Sequence, residues 1–201
     1  MRVVCLDFET ANGHPGSACA LGMVILEPGK EEKHWYSLIR PHPDCGPFHP
    51  MNVGIHGIRP RDVEDAPEFD RVFSGIRETL EGSLVVAHNA SFDIGVLQKT
   101  LGMYHLEPPD FSYLCTVKLA RRVWGDLENH RLSTVCAHLG YRFRHHNAAE
   151  DAGACARILT VALEETGAGG LEELMELTGI SPGLLGPGIH RPCRSLRRKP
   201  K

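Results

Sequence analysis

Apolar residues at the start of the chain fall into three short runs. Residues 2–8, 17–26 and 33–39 are each long enough for one strand, and the sequence EPGK at 27–30 is typical of a tight turn. The alternation of apolar runs and turn residues therefore predicts three strands that form an antiparallel meander.

Beyond this region the spacing of apolar residues changes from strand-like to helical. The Pro- and His-rich stretch 41–54 predicts a loop, whereas apolar residues recur at helical spacing between Phe69 and Leu80 and predict an amphipathic helix. The run 84–87 predicts a short buried strand, and Ser91 is a suitable N-cap for the helix that follows it.

The second half of the sequence continues the alternation of strands and helices. The pattern predicts a strand at 112–115 and helices at 117–123, 132–139, 148–165 and 171–179, the third of them capped by Asn147 and ended by Gly167. An antiparallel meander followed by β-α units implies an α/β fold with a mixed sheet and helices packed on its faces.

The composition of the chain fits one globular domain. Of its 201 residues, 42% are hydrophobic and 23% are charged, which supplies enough apolar material for a single core of ordinary size. We expect this domain to span residues 1–167. Residues 168–201 are expected to add a short helix and, from Ser181, a Pro- and Gly-rich, basic and flexible tail.

Charge is distributed unevenly along the chain. The formal net charge is −3, but the stretch Arg191–Lys201 holds six basic residues and no acid, so the remainder carries 16 bases against 25 acids. The basic end suits binding to phosphate groups, and it equally suits a solubilising terminus. No apolar stretch is long enough to span a membrane, and the seven cysteines form no C-x-x-C pair. These features predict a cytoplasmic protein with no membrane partner.

Two acids share one face of the first strand. The alternation of side chains along a strand places Asp7 and Glu9 on the same side. Adjacent carboxylates repel each other, and a strand that enters the core gains nothing from them unless a cation offsets their charge. A divalent metal ion is the simplest such cation. The alternative is that the strand ends at Asp7 and that water solvates both acids.

Two further acids lie where a helix begins. Asp93 ends the sequence HNASFD, which follows the buried strand directly and is displayed at its end. Asp151 lies in the first turns of the helix capped by Asn147, and His146 stands just outside that helix. Each acid also has a simpler interpretation, because the helix dipole favours a carboxylate in the first turn. His145 is an alternative to His146 for any role at this end of the sheet.

Taken together, three motifs resemble those of a known family. They are D-x-E-T at residues 7–10, H-N-A-x-F-D at 88–93 and H-x-A-x-x-D at 146–151. Their order and context resemble the DEDDh exonuclease family, which includes the DnaQ-like proofreading subunit of bacterial DNA polymerase III. The resemblance covers roughly residues 2–165, and it implies an RNase H-like fold and 3′-to-5′ hydrolysis of phosphodiester bonds. The spacing of the third motif selects His146 over His145.

The resemblance also implies a role for individual residues. Two divalent cations, Mg²⁺ with Mn²⁺ able to substitute, would be held by four carboxylates, and His146 would take the proton of the attacking water. The implied metal ligands are Asp7, Glu9, Asp93 and Asp151. The implied contacts to the terminal nucleotides are Thr10, His56, Ile58, Asn89 and Phe92. For Ile58 and Phe92, ordinary core packing is an equally good interpretation.

The expected activity is therefore that of a 3′–5′ exonuclease on single-stranded or frayed DNA ends. One alternative is an RNA exonuclease of the RNase T or oligoribonuclease kind, which would use the same metal chemistry but would read the 2′-hydroxyl. Another is a non-hydrolytic module that binds nucleic acid or a polymerase. All four acids and the histidine are present, which favours the enzyme; a DNA polymerase is an expected partner.

Overall fold

The computed structural model describes residues 1–196. Its strands are β1 (Val3–Thr10), β2 (Ala18–Leu26), β3 (Lys33–Leu38), β4 (Leu84–Ala87), β5 (Phe111–Cys115), β6 (Ile180–Ser181), β7 (Gly183–Gly186), β8 (Ile189–Arg191) and β9 (Arg194–Ser195). Its helices are α1 (Pro50–His56), α2 (Phe69–Leu80), α3 (Ser91–Met103), α4 (Thr116–Val123), α5 (Leu132–His138), α6 (Ala148–Thr166) and α7 (Leu171–Thr178). Two short 3-10 helices, Pro43–Cys45 and Pro60–Asp62, flank α1.

Seven strands form one mixed sheet in the order β3-β2-β1-β4-β5-β7-β8. The first three strands pair antiparallel, so the predicted meander is confirmed. Strands β1, β4 and β5 then run parallel, and β7 and β8 extend the sheet antiparallel beyond β5. Strands β6 and β9 form a separate pair. The α/β class expected from the sequence is confirmed.

Two helices illustrate how the sequence pattern sets the packing. The apolar positions of α2 between Phe69 and Leu80 are all buried, as their helical spacing predicts. Helix α6 begins after Asn147, whose side chain accepts a hydrogen bond from the N–H of Glu150 (3.2 Å), and ends at Gly167 in the left-handed conformation. No helix within residues 1–196 combines the length and apolar character needed to cross a membrane.

Two local predictions in the first hundred residues are wrong. Ser91 is the first residue of α3 and not its cap; Ala90 holds the cap position, and the Ser91 hydroxyl donates to Asn89 Oδ1 at 3.2 Å. The stretch predicted as a loop contains α1, which starts at Pro50 and is capped by Nδ1 of His49. A seven-residue helix that starts with proline offers too few apolar repeats to reveal its period.

The C-terminal region is also ordered where a tail was expected. From Gly183 the chain adds β7 to the free edge of β5, and β8 pairs with β7. The side chain of Arg122 donates to the backbone carbonyl of Leu196. Strands thus lie between Ser181 and Leu196 where the sequence pattern offered none, because a four-residue strand with two glycines carries almost no sequence signal. The basic residues Arg197, Arg198, Lys199 and Lys201 lie outside the described residues.

The packing of α6 on the meander depends on one glycine. Gly22 of β2 pairs with Asp7 of β1, and a Cβ atom at Gly22 would lie only 2.1 Å from the carbonyl oxygen of Ala148. The missing side chain lets the first turn of α6 rest directly on the sheet. As a result, Asp151 in that turn comes close to Asp7.

We expect Gly22→Ala to destabilise the protein by about 1–3 kcal/mol, the usual cost of overpacking a core contact. The added methyl must displace the backbone of α6, so activity should fall as well. Gly75→Ala in the exposed part of α2 is the matched control, since a Cβ there meets nothing within 4 Å. This control should gain up to about 1 kcal/mol from helix propensity. Equal unfolding midpoints in urea for the two variants would contradict the prediction.

Candidate active site

A cavity of about 710 Å³ lies where β1 and β4 end. Three loops close around it: the turn between β4 and α3, the segment that leads into α5 and the segment that leads into α6. The polar side chains in its lining belong to Asp7, Glu9, Thr10, Asn52, His56, His88, Asn89, Arg121, Asn129, His130, Arg131, His145, His146 and Asp151. The three sequence motifs thus meet in one place, because β1 and β4 end there and α6 begins there.

Three carboxylates converge on the floor of this cavity. Carboxylate oxygens of Asp7, Glu9 and Asp151 all lie within 4.8 Å of one another. Glu9 and Asp151 are almost fully buried, with 9% and 3% of their surface exposed. The interpretation of Asp7 and Glu9 as solvated acids beyond the end of a strand is therefore wrong, since β1 continues to Thr10.

The fourth acid lies beneath the cavity floor. Asp93 is 1% exposed, and its Oδ1 accepts a hydrogen bond from the backbone N–H of Phe8 at 3.0 Å. This contact fixes one carboxylate oxygen against β1, between the positions of Asp7 and Glu9. Asp93 is therefore next to the other three acids without forming part of the cavity surface.

Burial and mutual repulsion shift the titration of these acids. Burial, followed by the charges of Asp151 and Asp93, raises the pKa of Glu9 to about 8. Burial raises the pKa of Asp93 to about 7, although the hydrogen bond from Phe8 opposes the shift. The pKa of Asp7 is raised well above its ordinary value by burial and by the three neighbouring acids. Four carboxylates held this close in low dielectric form a strong site for cations.

This crowding predicts that the metal-free protein loses stability as the pH rises. A carboxylate whose pKa is higher in the folded state binds more protons there than in the unfolded chain, so unfolding becomes easier with increasing pH. For Glu9 the window runs from its ordinary pKa of 4.5 to about 8. In EDTA, the melting temperature of the wild type should therefore fall across this window relative to that of Glu9→Gln.

Comparison with Glu9→Gln cancels the contribution of titrating groups outside the acid cluster, including buried histidines, and reports the effect of Glu9 together with its charge on Asp7. Adding Mg²⁺ should raise the melting temperature of the wild type more at pH 8 than at pH 5, because the cation binds the deprotonated acids. A difference in melting temperature between the wild type and Glu9→Gln that stays constant from pH 5 to pH 8 would contradict the prediction.

Two histidines stand beside the carboxylates. The imidazole rings of His145 and His146 stack with their centroids 3.9 Å apart. Nδ1 of His145 lies 3.2 Å from both carboxylate oxygens of Asp151, and the backbone N–H of His146 donates to the same carboxylate at 3.0 Å. His145 therefore contacts the acid cluster as well, although the motif spacing selects His146. His146 has a φ of +65°, and this bend lets both rings face the cavity.

The residues expected to contact substrate divide into two groups. Thr10, His56, Asn89 and Phe92 line the cavity, and Phe92 is 47% exposed. Ile58 is not part of the cavity lining within the described residues; its N–H donates to Nδ1 of His56 at 3.0 Å. Ile55, 48% exposed and one helical turn earlier, lines the cavity instead.

His56 and His88 are held by hydrogen bonds at both ring nitrogens. Nε2 of His56 lies 3.1 Å from the carbonyl oxygen of Thr10, which ties α1 to the end of β1. His88 contacts the Thr116 hydroxyl through Nδ1 (2.9 Å) and the carbonyl oxygen of His130 through Nε2 (3.0 Å). Burial lowers the pKa of His88 to about 4. His88 thus anchors the loop that brings Arg131 to the cavity, a role that spacing alone does not reveal.

The chemistry of this donor set fits divalent cations that prefer oxygen ligands. Mg²⁺ binds carboxylates and keeps several waters, and the cavity offers both acidic oxygens and room for water. The pKa values of Asp7, Glu9 and Asp93 are raised because burial, and then the neighbouring acids, disfavour the charged forms. Cation binding would offset the repulsion. These residues are consistent with the use of divalent metal ions that is general in DEDDh exonucleases.

The mixed sheet, the four neighbouring acids and the adjacent histidines have the arrangement of a DEDDh exonuclease domain with an RNase H-like fold. Residues 4–159 match the family model RNase_T, described as an exonuclease. The chain therefore belongs to this exonuclease family.

Individual relatives agree with this assignment. DNA polymerase III PolC-type from Bacillus cereus is 32% identical over 146 residues, which are 72% of this chain and 10% of that protein. The 3′-5′ exonuclease DinG from Bacillus subtilis is 28% identical over 168 residues, 82% of this chain and 18% of that protein. The chain thus spans a tenth to a fifth of the length of these relatives.

A solved structure of similar size also matches. Exonuclease X in complex with 5′ overhanging duplex DNA superposes with a TM-score of 0.68 at 28% identity, over 89% of this chain and 99% of that chain. The nuclease domain of 3′hExo, a DEDDh family member bound to rAMP, superposes with a TM-score of 0.70 at 17% identity, over 82% and 92% of the two chains. The second match shows the shared fold.

Proposed function

We propose that this protein is a metal-dependent 3′–5′ exonuclease that removes nucleotides from the 3′ end of single-stranded or frayed DNA. The observation that carries the proposal is the convergence of carboxylate oxygens from Asp7, Glu9 and Asp151 within 4.8 Å at the floor of an open cavity. The acids and both histidines lie within residues 1–167, the span we propose as the exonuclease domain. The cofactor would be two Mg²⁺ ions, with Mn²⁺ able to replace them.

The four acids would hold the cations, and the histidine beside them would move a proton. Bound divalent cations would supply charge stabilisation of the phosphate and a water of lowered pKa. Burial and the neighbouring His145 lower the pKa of His146, so its ring is neutral at pH 7 and can accept the proton of that water. As the water oxygen bonds to phosphorus, the bond to the 3′ oxygen of the preceding nucleotide breaks. The product is a nucleoside 5′-monophosphate.

The apolar side chains of the cavity suit the terminal base. Ile55 and Phe92 are about half exposed in a cavity that is otherwise rich in polar groups. Exposed apolar surface of this kind offers a stacking or packing face for a base without reading its identity. Thr10 and Asn89, which also line the cavity, are our proposed polar contacts to the terminal nucleotides.

Two of the matched proteins support DNA as the proposed substrate, whereas 3′hExo is bound to rAMP. Exonuclease X, the structural match with the higher identity, holds duplex DNA with a 5′ overhang, and PolC-type relatives are DNA polymerases. A DNA polymerase is accordingly our proposed partner. An RNA exonuclease would use the same four acids and would differ in contacts to the 2′-hydroxyl.

Hydrolysis assays with paired substrates test this proposal. DNA and RNA strands of one sequence, labelled at the 5′ end, are incubated with the protein in Mg²⁺, Mn²⁺ or EDTA. We expect a ladder of products shortened from the 3′ end, faster on DNA and absent in EDTA. Faster shortening of RNA would favour the ribonuclease alternative. Binding of strands without any shortening in either metal would support the non-hydrolytic module and overturn the proposal.

A further inference from the structure

We propose that the groove beside helix α4 binds the phosphate backbone of the nucleotides that precede the 3′ terminus. The inference rests on the proposed function, because it assigns a path to the strand whose end occupies the carboxylate cavity. A second, smaller cavity of about 210 Å³ forms this groove, between α4, the turn after β4 and the C-terminal segment.

The two cavities are adjacent. Asn89, Val117 and Arg121 line both of them, so a strand that leaves the carboxylate cavity over these residues would reach the smaller one. The far wall of the smaller cavity is formed by Pro192 and Cys193. That wall exists because β7 and β8 extend the sheet beyond β5 and carry the following residues over the end of α4.

The charges along this path are positive. Lys118 and Arg121 line the smaller cavity, whose lining contains no acidic residue in the described part of the chain, and Arg131 lies at the edge of the larger one. None of these three cations forms an ion pair within residues 1–196. By contrast, Arg122 on the same helix is engaged with the carbonyl oxygen of Leu196.

This arrangement selects a polyanion by charge and shape. Unpaired cations along a groove attract the phosphates of a strand through counterion release, without regard to base sequence. The acidic cluster at the end of the path would hold a single phosphate only with its cations bound. The smaller cavity therefore supplies affinity for longer strands that the catalytic cluster cannot supply.

The double variant Lys118→Gln and Arg121→Gln tests the path. Binding of fluorescent (dT)10 and of the dinucleotide (dT)2 is measured by anisotropy in Ca²⁺, at several salt concentrations. The ratio of the two dissociation constants, (dT)10 over (dT)2, should rise roughly tenfold in the variant. The slope of log affinity for (dT)10 against log salt should become shallower by about 1.4, as expected for two lost contacts to a single strand.

Lys99→Gln combined with Arg71→Gln is the matched control. These residues are exposed on α3 and α2, and their loss changes the net charge by the same amount. The control should retain the wild-type ratio and slope. An equal effect of both double variants, or no effect of either, would overturn the proposal.

Hydrolysis is measured in a separate assay, so an error in the proposed strand path can be distinguished from an error in the proposed exonuclease activity. If the wild type cleaves DNA while the double variant keeps its ratio and salt slope, the path is wrong and the exonuclease stands. If the wild type cleaves nothing but the double variant loses its preference for (dT)10, the groove binds strands and the proposed activity is wrong. Unfolding midpoints of all variants verify that each is folded.

Discussion

Replacing Asp7 by asparagine should lower the rate of DNA hydrolysis in Mg²⁺ about 10³-fold or more. Asp7 is the acid whose neighbours include all three others, and its oxygens share the cluster with Glu9 and Asp151. A lost ligand at a catalytic cation removes several kcal/mol of charge stabilisation in the transition state, and each 1.4 kcal/mol is about tenfold in rate. Single-turnover cleavage of end-labelled DNA at saturating Mg²⁺ measures the loss.

Stability should change in the opposite direction when metal is absent. Removing one charge from a crowded, buried cluster relieves repulsion, so the melting temperature of Asp7→Asn in EDTA at pH 8 should equal or exceed that of the wild type. Asp65→Asn, in an exposed loop, is the control and should change neither quantity. A variant at Asp7 that cleaves DNA at nearly the wild-type rate, or that does not fold in EDTA, would count against its role as a metal ligand.

The second large loss of hydrolysis rate is expected at the pair His145 and His146. We expect His146→Gln to lose about 10²-fold or more in rate, the usual contribution of general base catalysis. The His146 ring forms no hydrogen bond within residues 1–196, so its nitrogens are free for a water, whereas Nδ1 of His145 is engaged with Asp151. Because the pKa of His146 is lowered, the rate of the wild type should rise with pH mainly below pH 6.5.

His145→Gln should lose less than His146→Gln, and its rise in rate should shift to higher pH, because His145 helps to lower the pKa of His146. Isothermal titration with Mg²⁺ should show similar affinities for both variants, because neither removes a carboxylate. Rates are compared from pH 5 to pH 9 at saturating Mg²⁺. A severe loss at His145 beside a mild loss at His146 would reverse the assignment and would show that the Asp151-bound ring is the base.

Strands and helices whose apolar residues recur at regular spacing could be predicted from the sequence. The meander, α2 and α6 each bury several apolar side chains at regular spacing, and their ends carry recognisable turn or cap residues such as Asn147 and Gly167. Parallel strands deliver their ends to one edge of a sheet. That geometry brings the ends of β1 and β4 together, whereas Asp151 reaches Asp7 because α6 packs on β2 at Gly22.

The remaining features depend on contacts that are distant in sequence. Gly22 is required only because α6 lies upon it, and β7 forms only because β5 has a free edge. At the site, the left-handed backbone conformation of His146 places His145 beside Asp151. The spacing of residues in the sequence does not reveal this contact. Ile55 lines the cavity and Ile58 does not; Ile58 was expected from the family resemblance, and no period in the sequence pointed to Ile55.

The C-terminal strand has a consequence for how such a domain can evolve. The span that matches the family ends at residue 159, yet β7 continues the sheet and the residues after β8 form a wall of the smaller cavity. The proposed groove therefore combines Lys118 and Arg121, encoded in the same stretch as the acids, with a wall of Pro192 and Cys193 that is encoded in a second, later stretch. Recombination near the glycines at 167–170 would exchange the second stretch for another and retune the preferred substrate length without altering the acids.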